Sequence, residues 1–338
     1  MQNVAKGLAL ATMAATTNSA MELSGKKALS GRGFLESTLF IRLVVACAFT
    51  LAAACVFLLR PGWGDLFGSE SPRALADPSF LLYAVVATGL VTSAILLYYR
   101  AIQISPLSLT IPLFGFTPVF LLFTNALATG RLPSPATAEG VLIVVLGSIL
   151  LKWPERSEGW RATVSAVFRD PGSRYMLLAS LLLAITNPLD QKLVRLAGPL
   201  SYAWLYSTLC LGFVALVQLF VPKGASALRP RTGWILAAGL FDAATLLLHL
   251  ASIRYIDVVI TIAIKRSGML LAVLAGWLFF GEEVRQRFPA ACIILVGAQM
   301  LYVDSGPHGR IAAVVLVVML VAFWFRRQRI SQLVQAES

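Results

Sequence analysis

The sequence predicts an all-α integral membrane protein with two inverted five-helix repeats, which form a ten-helix transporter-like core, and an extra C-terminal transmembrane helix. Three observations lead to this prediction: the composition, a series of apolar segments, and an internal repeat. Of the 338 residues, 58% are hydrophobic and only 13% are charged, whereas a soluble domain carries about 25% charged residues. The chain cannot cover itself with polar surface in water, so lipid is its expected solvent.

Apolar segments recur along the whole chain. A helix needs about 20 apolar residues to cross roughly 30 Å of hydrocarbon. The candidates are residues 7–23, 43–59, 80–99, 107–128, 136–151, 175–189, 202–221, 233–252, 256–280, 289–303 and 311–325. These runs lack the alternation of a β-barrel, and helices satisfy their own backbone in lipid. The first run follows Lys6 as a secretory signal would, but its polar interruption at 16–18 favours a retained helix.

An internal repeat appears when the chain is shifted by about 150 residues. The matching positions are Ala101 with Ala251, Gly130 with Gly281, Gly147 with Gly297, and Thr17 and Asn18 with Thr186 and Asn187. Five helices per repeat is an odd number, so the two halves must insert in opposite orientations. Chance similarity between apolar segments is the alternative. The predicted organisation is a first repeat at 1–152, a basic inter-repeat loop at 153–174, a second repeat at 175–304, and an extra helix with a basic tail at 305–338.

The fourth and ninth predicted spans carry the most distinctive sequences. One reads IPLFGFTPVF from residue 111 and exits at Gly130. The other reads IKRSGML from residue 264 and exits at Gly281, and each is followed by a glycine-bearing helix. Together with Arg42 at the start of the second span, these features resemble the drug/metabolite transporter superfamily, in particular the EamA-type transporter family. The resemblance covers roughly residues 7–303. The eleventh span and Arg131, where the family often has Glu, depart from the family's pattern.

This resemblance and the inverted repeats together predict a secondary-active permease in the cell inner membrane, working by alternating access. The expected cargo is a small anionic or zwitterionic metabolite, and a coupling proton is a candidate partner. No Walker motif (G-x-x-x-x-G-K-[ST]), HExxH or GxSxG occurs, so the chain is not expected to be an enzyme or to need a cofactor. The cations are scattered over short loops, so no nucleic-acid partner is expected. The alternative function is a flippase or accessory protein that handles a phosphate-bearing lipid.

Two adjacent cations, Lys265 and Arg266, lie about nine residues into the ninth span, which is close to the membrane midplane. A charge at that depth costs about 2.5–3.5 kcal/mol, so the pair needs anionic company. One interpretation is that both cations, with the Ser267 hydroxyl, bind the anionic part of the substrate. The pair also resembles one that holds phosphate in organophosphate translocators of the superfamily. The alternative is an internal ion pair with Asp242, Asp257 or Glu22.

Further candidate residues flank this pair. Tyr99 and Thr117 are predicted to contact substrate, although an interfacial aromatic belt is the commoner role for Tyr99. Asp242 and His249, seven residues apart and so on one helical face, are candidates together with Glu22 for charge compensation or proton coupling. A lone histidine near a helix end is more often a packing residue.

Two backbone features complete the predicted site. Asp257 begins the ninth helix, where a carboxylate complements the helix dipole, so its role is expected to be structural. In the fourth span, Pro112, Gly115 and Pro118 should interrupt the helix. Gly115 aligns with Lys265 in the repeat, and broken membrane helices are tolerated where they line a cavity.

The loop cations predict the orientation of the chain. Those of the inter-repeat loop, such as Arg156 and Arg161, fall on the same side as Arg326 and Arg327 of the C-terminal tail. The positive-inside rule places that side in the cytoplasm. A C-terminal reporter enzyme that is active only outside the cytoplasm should therefore give no signal. A strong signal there, with the loop also external, would contradict this topology.

Overall fold

The computed structural model describes residues 2–29, 34–59, 72–104, 113–151, 169–220 and 232–268, with short pieces at 292–294, 296–297 and 300. These residues form nine α-helices and one short 3-10 helix, Pro72–Ala76, and contain no strand. The helices are α1 Gln2–Leu29, α2 Phe34–Leu59, α3 Pro78–Ile104, α4 Thr117–Thr129, α5 Pro135–Leu151, α6 Pro171–Ala197, α7 Pro199–Phe220, α8 Thr232–Tyr255 and α9 Val258–Ser267. The predicted all-α class is confirmed.

The nine helices follow the first nine predicted spans in order. Residues 107–112 of the fourth span, 269–280 of the ninth, most of the tenth span and all of the eleventh lie outside the described residues. Four helices are both long and apolar enough to cross a membrane: α2, α3, α7 and α8 contain the segments Leu35–Val56, Pro78–Ala101, Pro199–Phe220 and Thr232–Tyr255. Helices α1 and α6 have 28 and 27 residues. At 1.5 Å per residue that length also crosses the hydrocarbon core, although their sequences are more polar.

Two predicted span boundaries were wrong, and for the same reason. The second span was predicted to begin at residue 43, just after Arg42, and the sixth to end at residue 189, just before Asp190. In the structure α2 begins at Phe34 and α6 continues to Ala197, so both charged residues lie inside helices and both side chains are buried. Charge ends an apolar window in the sequence, but it does not end a helix whose polar side chains face other helices.

Helix α6 contains Pro188, which has no N–H to donate to the carbonyl of Ala184. In hydrocarbon that carbonyl needs another donor. The hydroxyl of Thr124 on α4 donates to it at 2.6 Å. The proline therefore frees a carbonyl that ties α6 to α4.

The interruption predicted in the fourth span is present. The backbone forms a turn at Gly115 and Phe116 before α4 begins at Thr117, with Pro118 in its first turn. The helix ends at Gly130, whose φ of 67° is left-handed and whose N–H donates to the carbonyl of Ala126. Glycine favours this conformation because it has no Cβ.

Helices from the two halves of the chain pack against each other throughout the interior. Helix α1 lies along α8 and α3 lies along α6; α2 contacts both α7 and α8, and α7 also contacts α3. Helix α4 packs on α6, α9 packs on α1, and α4 and α9 meet each other. The core is therefore a shared interface, and neither half buries its polar residues alone.

The contact between α1 and the end of α9 is a close backbone approach within this interface. A Cβ at Gly268 would lie 2.7 Å from the carbonyl oxygen of Ala15. The Ser19 hydroxyl donates to the Gly268 carbonyl at 2.9 Å. Only glycine allows the two backbones this close.

Replacing this glycine should therefore destabilise the protein. We expect Gly268→Ala to cost about 1–3 kcal/mol, because the obstructing atom is backbone and cannot rotate away. The measurement is the melting temperature of the protein purified in detergent. Gly212→Ala on α7, where a Cβ would meet nothing within 4 Å, is the matched control and should not lower it. Equal melting temperatures for the two variants would contradict the close packing of α9 on α1.

Candidate functional site

A partly open cavity of about 200 Å³ lies among the described helices of the two halves of the chain. Its walls come from α1, α2 and α3, the turn before α4 and the start of α4, and from α6, α7, α8 and α9. The lining residues are Asn18, Met21, Arg42, Val91, Ala94, Ile95, Tyr98, Tyr99, Phe114, Thr117, Leu183, Thr186, Asn187, Asp190, Tyr206, Asp242, Thr245, Leu246, His249, Leu250, Ile262 and Lys265. Polar side chains thus collect in the interior of an otherwise apolar bundle.

Five of the eight residues predicted for the site line this cavity: Tyr99, Thr117, Asp242, His249 and Lys265. Candidates from the first half and from the second half therefore line one cavity, and their roles there remain predictions. The other three, Glu22, Arg266 and Ser267, belong to described helices, but their side chains lie outside what the structure describes. Their predicted roles remain predictions.

Lys265 stands at the end of the described part of α9. Its side chain is half-buried, and the preceding residues Ala263 and Ile264 are fully buried. Across the cavity lie Phe114 and Thr117, on either side of the interruption that precedes α4. Gly115 and Lys265 are aligned in the repeat, and the segments that contain them both contribute to the wall of this cavity.

Asp242 forms an ion pair with a residue other than the expected one. Its carboxylate contacts the guanidinium of Arg42, and both side chains are largely buried. Lys265 was the predicted partner of Asp242, and no signal in the sequence indicated a contact with Arg42. Because the two residues lie 200 positions apart, the pair connects α2 of the first half to α8 of the second half.

His249 is 6% exposed, and its Nδ1 has no hydrogen-bond partner among the described residues. A buried polar atom of this kind usually has a partner, from the protein, water or a ligand. Since His249 lines the cavity, this nitrogen is a candidate contact for whatever the cavity holds.

Asp257 has the structural role expected from its position. Its carboxylate accepts a hydrogen bond from the Val259 N–H at 2.8 Å at the start of α9. It also accepts from the Asn125 amide of α4 at 3.2 Å. This carboxylate therefore fixes the start of α9 against α4 and is not among the cavity-lining residues.

Sequence reasoning missed several cavity residues. Asp190 accepts a hydrogen bond from the Tyr202 hydroxyl at 2.6 Å, and both side chains are buried. Asn18 and Asn187 line the cavity from α1 and α6. The repeated Thr-Asn dipeptide was a signal for the asparagines, since it stands at matching positions of both halves. For Asp190, the only signal was a carboxylate directly beside an apolar run.

The class of protein follows from this arrangement and from comparison with known proteins. Long apolar helices around an interior polar cavity are typical of membrane transporters. The model of the EamA-like transporter family matches residues 171–303. The predicted resemblance is thereby confirmed over these residues, which are similar to the EamA-like transporter family. Members of that family are membrane transporters of small molecules, not enzymes.

Known structures give a wider but less specific likeness. No curated protein matches the sequence, while 28 chains of solved structures match the fold. One of them, titled only "Crystal structure of protein", aligns with a TM-score of 0.65 at 16% identity. The alignment covers 88% of this chain and 96% of that chain. At this identity the likeness shows the fold alone.

The Arg42–Asp242 pair should behave as a coupled unit. Removing one partner leaves a buried charge uncompensated, which costs about 3–5 kcal/mol. We therefore expect Arg42→Met and Asp242→Leu each to lower the melting temperature more than the double variant does. The measurement is thermal unfolding of all four proteins in detergent. Additive losses in the double variant would contradict a direct ion pair.

Proposed function

We propose that this protein is a secondary-active transporter of a small anionic or zwitterionic metabolite, working by alternating access between two inverted five-helix repeats. The observation that carries the proposal is the cavity, because residues of both halves line it and its wall holds charged groups of both signs. A substrate at the interface of two repeats can be exposed to either side of the membrane when the repeats tilt relative to each other.

The pattern of helix contacts supports two repeats related by a twofold axis. Exchanging the halves turns α1 into α6, α2 into α7, α3 into α8 and α4 into α9. Under this exchange the α1–α8 contact becomes the α6–α3 contact, and the α2–α8 contact becomes the α7–α3 contact. The α4–α6 contact likewise becomes α9–α1, while the α2–α7 and α4–α9 contacts map onto themselves. All of these contacts are present.

Residues related by the repeat also occupy the same cavity. Asn18 and Asn187 are equivalent in the Thr-Asn match, and Tyr99 is equivalent to His249 when Ala101 is aligned with Ala251. All four line the cavity. Equivalent residues of two halves can share one cavity only if it lies close to the axis that relates them, which supports a site at the repeat interface.

Lys265 is proposed to bind the acidic group of the substrate, with Arg266, Ser267, Tyr99 and Thr117 completing the contacts. The other cation of the cavity wall, Arg42, is compensated by Asp242. A cation beside a site that opens to water suits an anion that must bind and then leave. For a zwitterion, the Asp242 carboxylate on the same wall is the proposed partner of the ammonium group.

The size of the cavity supports a small solute over a lipid. A protein cavity of about 150 Å³ is enough to bind benzene, so about 200 Å³ fits a compact metabolite. A lipid headgroup could use the same cation, but its acyl chains would need an opening to the bilayer. The test therefore includes a phosphate-bearing lipid.

The decisive test compares Lys265→Ala with wild type. Purified protein is screened by thermal shift against succinate, glutamate, inorganic phosphate and a short-chain phosphatidic acid. Loss of a charge-assisted hydrogen bond should weaken binding by about 1.5–3 kcal/mol, or roughly ten- to a hundred-fold in Kd. Lys192→Ala is the matched control, since Lys192 is exposed on α6 and stacks over Tyr83.

Stabilisation by a water-soluble acid that is lost in Lys265→Ala and kept in Lys192→Ala is the expected result. Stabilisation by phosphatidic acid alone would favour the lipid-handling alternative. Equal stabilisation of all three proteins would contradict the proposed role of Lys265.

A further inference from the structure

Asp190 is a buried carboxylate that is not one of the proposed substrate contacts. It lies on α6 two residues after Pro188, it lines the cavity, and its residue is only 6% exposed. An ionised carboxylate away from water is costly unless a cation compensates it. Such residues inside membranes commonly bind ions or relay protons.

The partner of Asp190 is a neutral donor. The hydroxyl of Tyr202 on α7 donates to its Oδ1 at 2.6 Å, and no cation among the described residues lies within 4 Å of the carboxylate. Tyr202 is fully buried. Its ring packs edge-on against Phe80 and Tyr206 at centroid distances of 6.3 and 6.1 Å. A phenol fixed in this way orients the carboxylate but leaves its charge uncompensated.

Titratable or charged groups that contact Asp190 or share its cavity wall come from several helices. They are Tyr202 and Tyr206 on α7, Asp242 and His249 on α8, Tyr98 and Tyr99 on α3, Lys265 on α9, and Arg42 on α2. Arg42 and Asp242 compensate each other. Among the carboxylates on the cavity wall, Asp190 is therefore the one held only by a neutral donor.

We propose that Asp190 is a proton-binding site of this transporter, loaded and unloaded from the same cavity that binds substrate. This inference rests on the proposed function. It assigns proton coupling to Asp190 instead of Asp242, His249 or Glu22. The proton comes from water in the cavity and converts the carboxylate to a neutral carboxyl. It returns to water when the cavity opens on the other side, and Tyr202 keeps its own hydrogen throughout.

Pro188 provides a point at which α6 can bend close to Asp190. The helix has no hydrogen bond from residue 188 to Ala184, whose carbonyl is instead held by Thr124 of α4. A proline is where helices bend. Asp190 is just beyond it, so a bend of α6 would change the access of the carboxylate to water.

The test is infrared difference spectroscopy of the purified protein in lipid nanodiscs, because it observes a protonated carboxyl directly and needs no substrate. Lowering the pH from about 8 to about 5, the range of physiological titrations, should produce a carbonyl-stretch band of a protonated acid. The band should be absent in Asp190→Asn and kept in Asp77→Asn, which changes an exposed carboxylate that is not among the cavity-lining residues. In Tyr202→Phe it should shift in frequency, because the hydrogen bond to the carboxyl is lost; this variant also serves if Asp190→Asn does not fold.

Coupling is tested in the same experiment by adding glutamate or succinate at fixed pH. Linkage is reciprocal, so a substrate that shares the cavity must change the proton occupancy of the band. A band unchanged in Asp190→Asn or Tyr202→Phe, or no such band in wild type, would overturn the proton site. A band that responds to pH but not to an acid that stabilises the protein would overturn its coupling role. Failure of the proposed substrate class appears separately, as no stabilisation by any acid while the band persists.

Discussion

The hydrocarbon interior supplies no hydrogen bonds, and the described structure can be understood from that constraint. A backbone or side-chain polar group at membrane depth that its own helix does not satisfy needs a partner from elsewhere in the protein. The carbonyl freed by Pro188 accepts from Thr124 of α4. The amide of Gln191 on α6 donates to the carbonyls of Ile253 and Ile256 at 2.7 and 2.9 Å, which satisfies groups that the end of α8 leaves unpaired.

The same constraint explains why the two halves interleave. Arg42 and Asp242 satisfy each other across the interface, as do Ser19 and the Gly268 carbonyl. Further polar side chains face the centre of the bundle and line the cavity. The cavity is thus the place where polar residues of α1, α3, α6, α8 and α9 meet.

Much of this could be predicted from the sequence, because the strongest signals are local. Apolar runs gave the helices, the Pro and Gly residues gave the interruption before α4, and a cation at mid-span singled out Lys265. Pairing was not predictable, since the Arg42–Asp242 contact depends on how α2 meets α8. Arg42 and Asp190 were taken as ends of apolar runs, whereas helix packing buries both. A charged residue at the edge of an apolar run was therefore an informative signal, but it was interpreted as the end of a span when it marks a buried polar residue inside a helix.

The central claim is that one cavity opens in turn to each side of the membrane. The most direct measurement places a single cysteine at Ile95, which lines the cavity on α3, after the four native cysteines are replaced. Ser93→Cys, exposed on the same helix and not among the cavity-lining residues, is the matched control. A membrane-impermeant thiol reagent is then applied from each side of sealed vesicles. The account predicts that Ile95→Cys reacts from both sides and Ser93→Cys from neither, whereas reaction of Ile95→Cys from one side only, under all conditions, would contradict it.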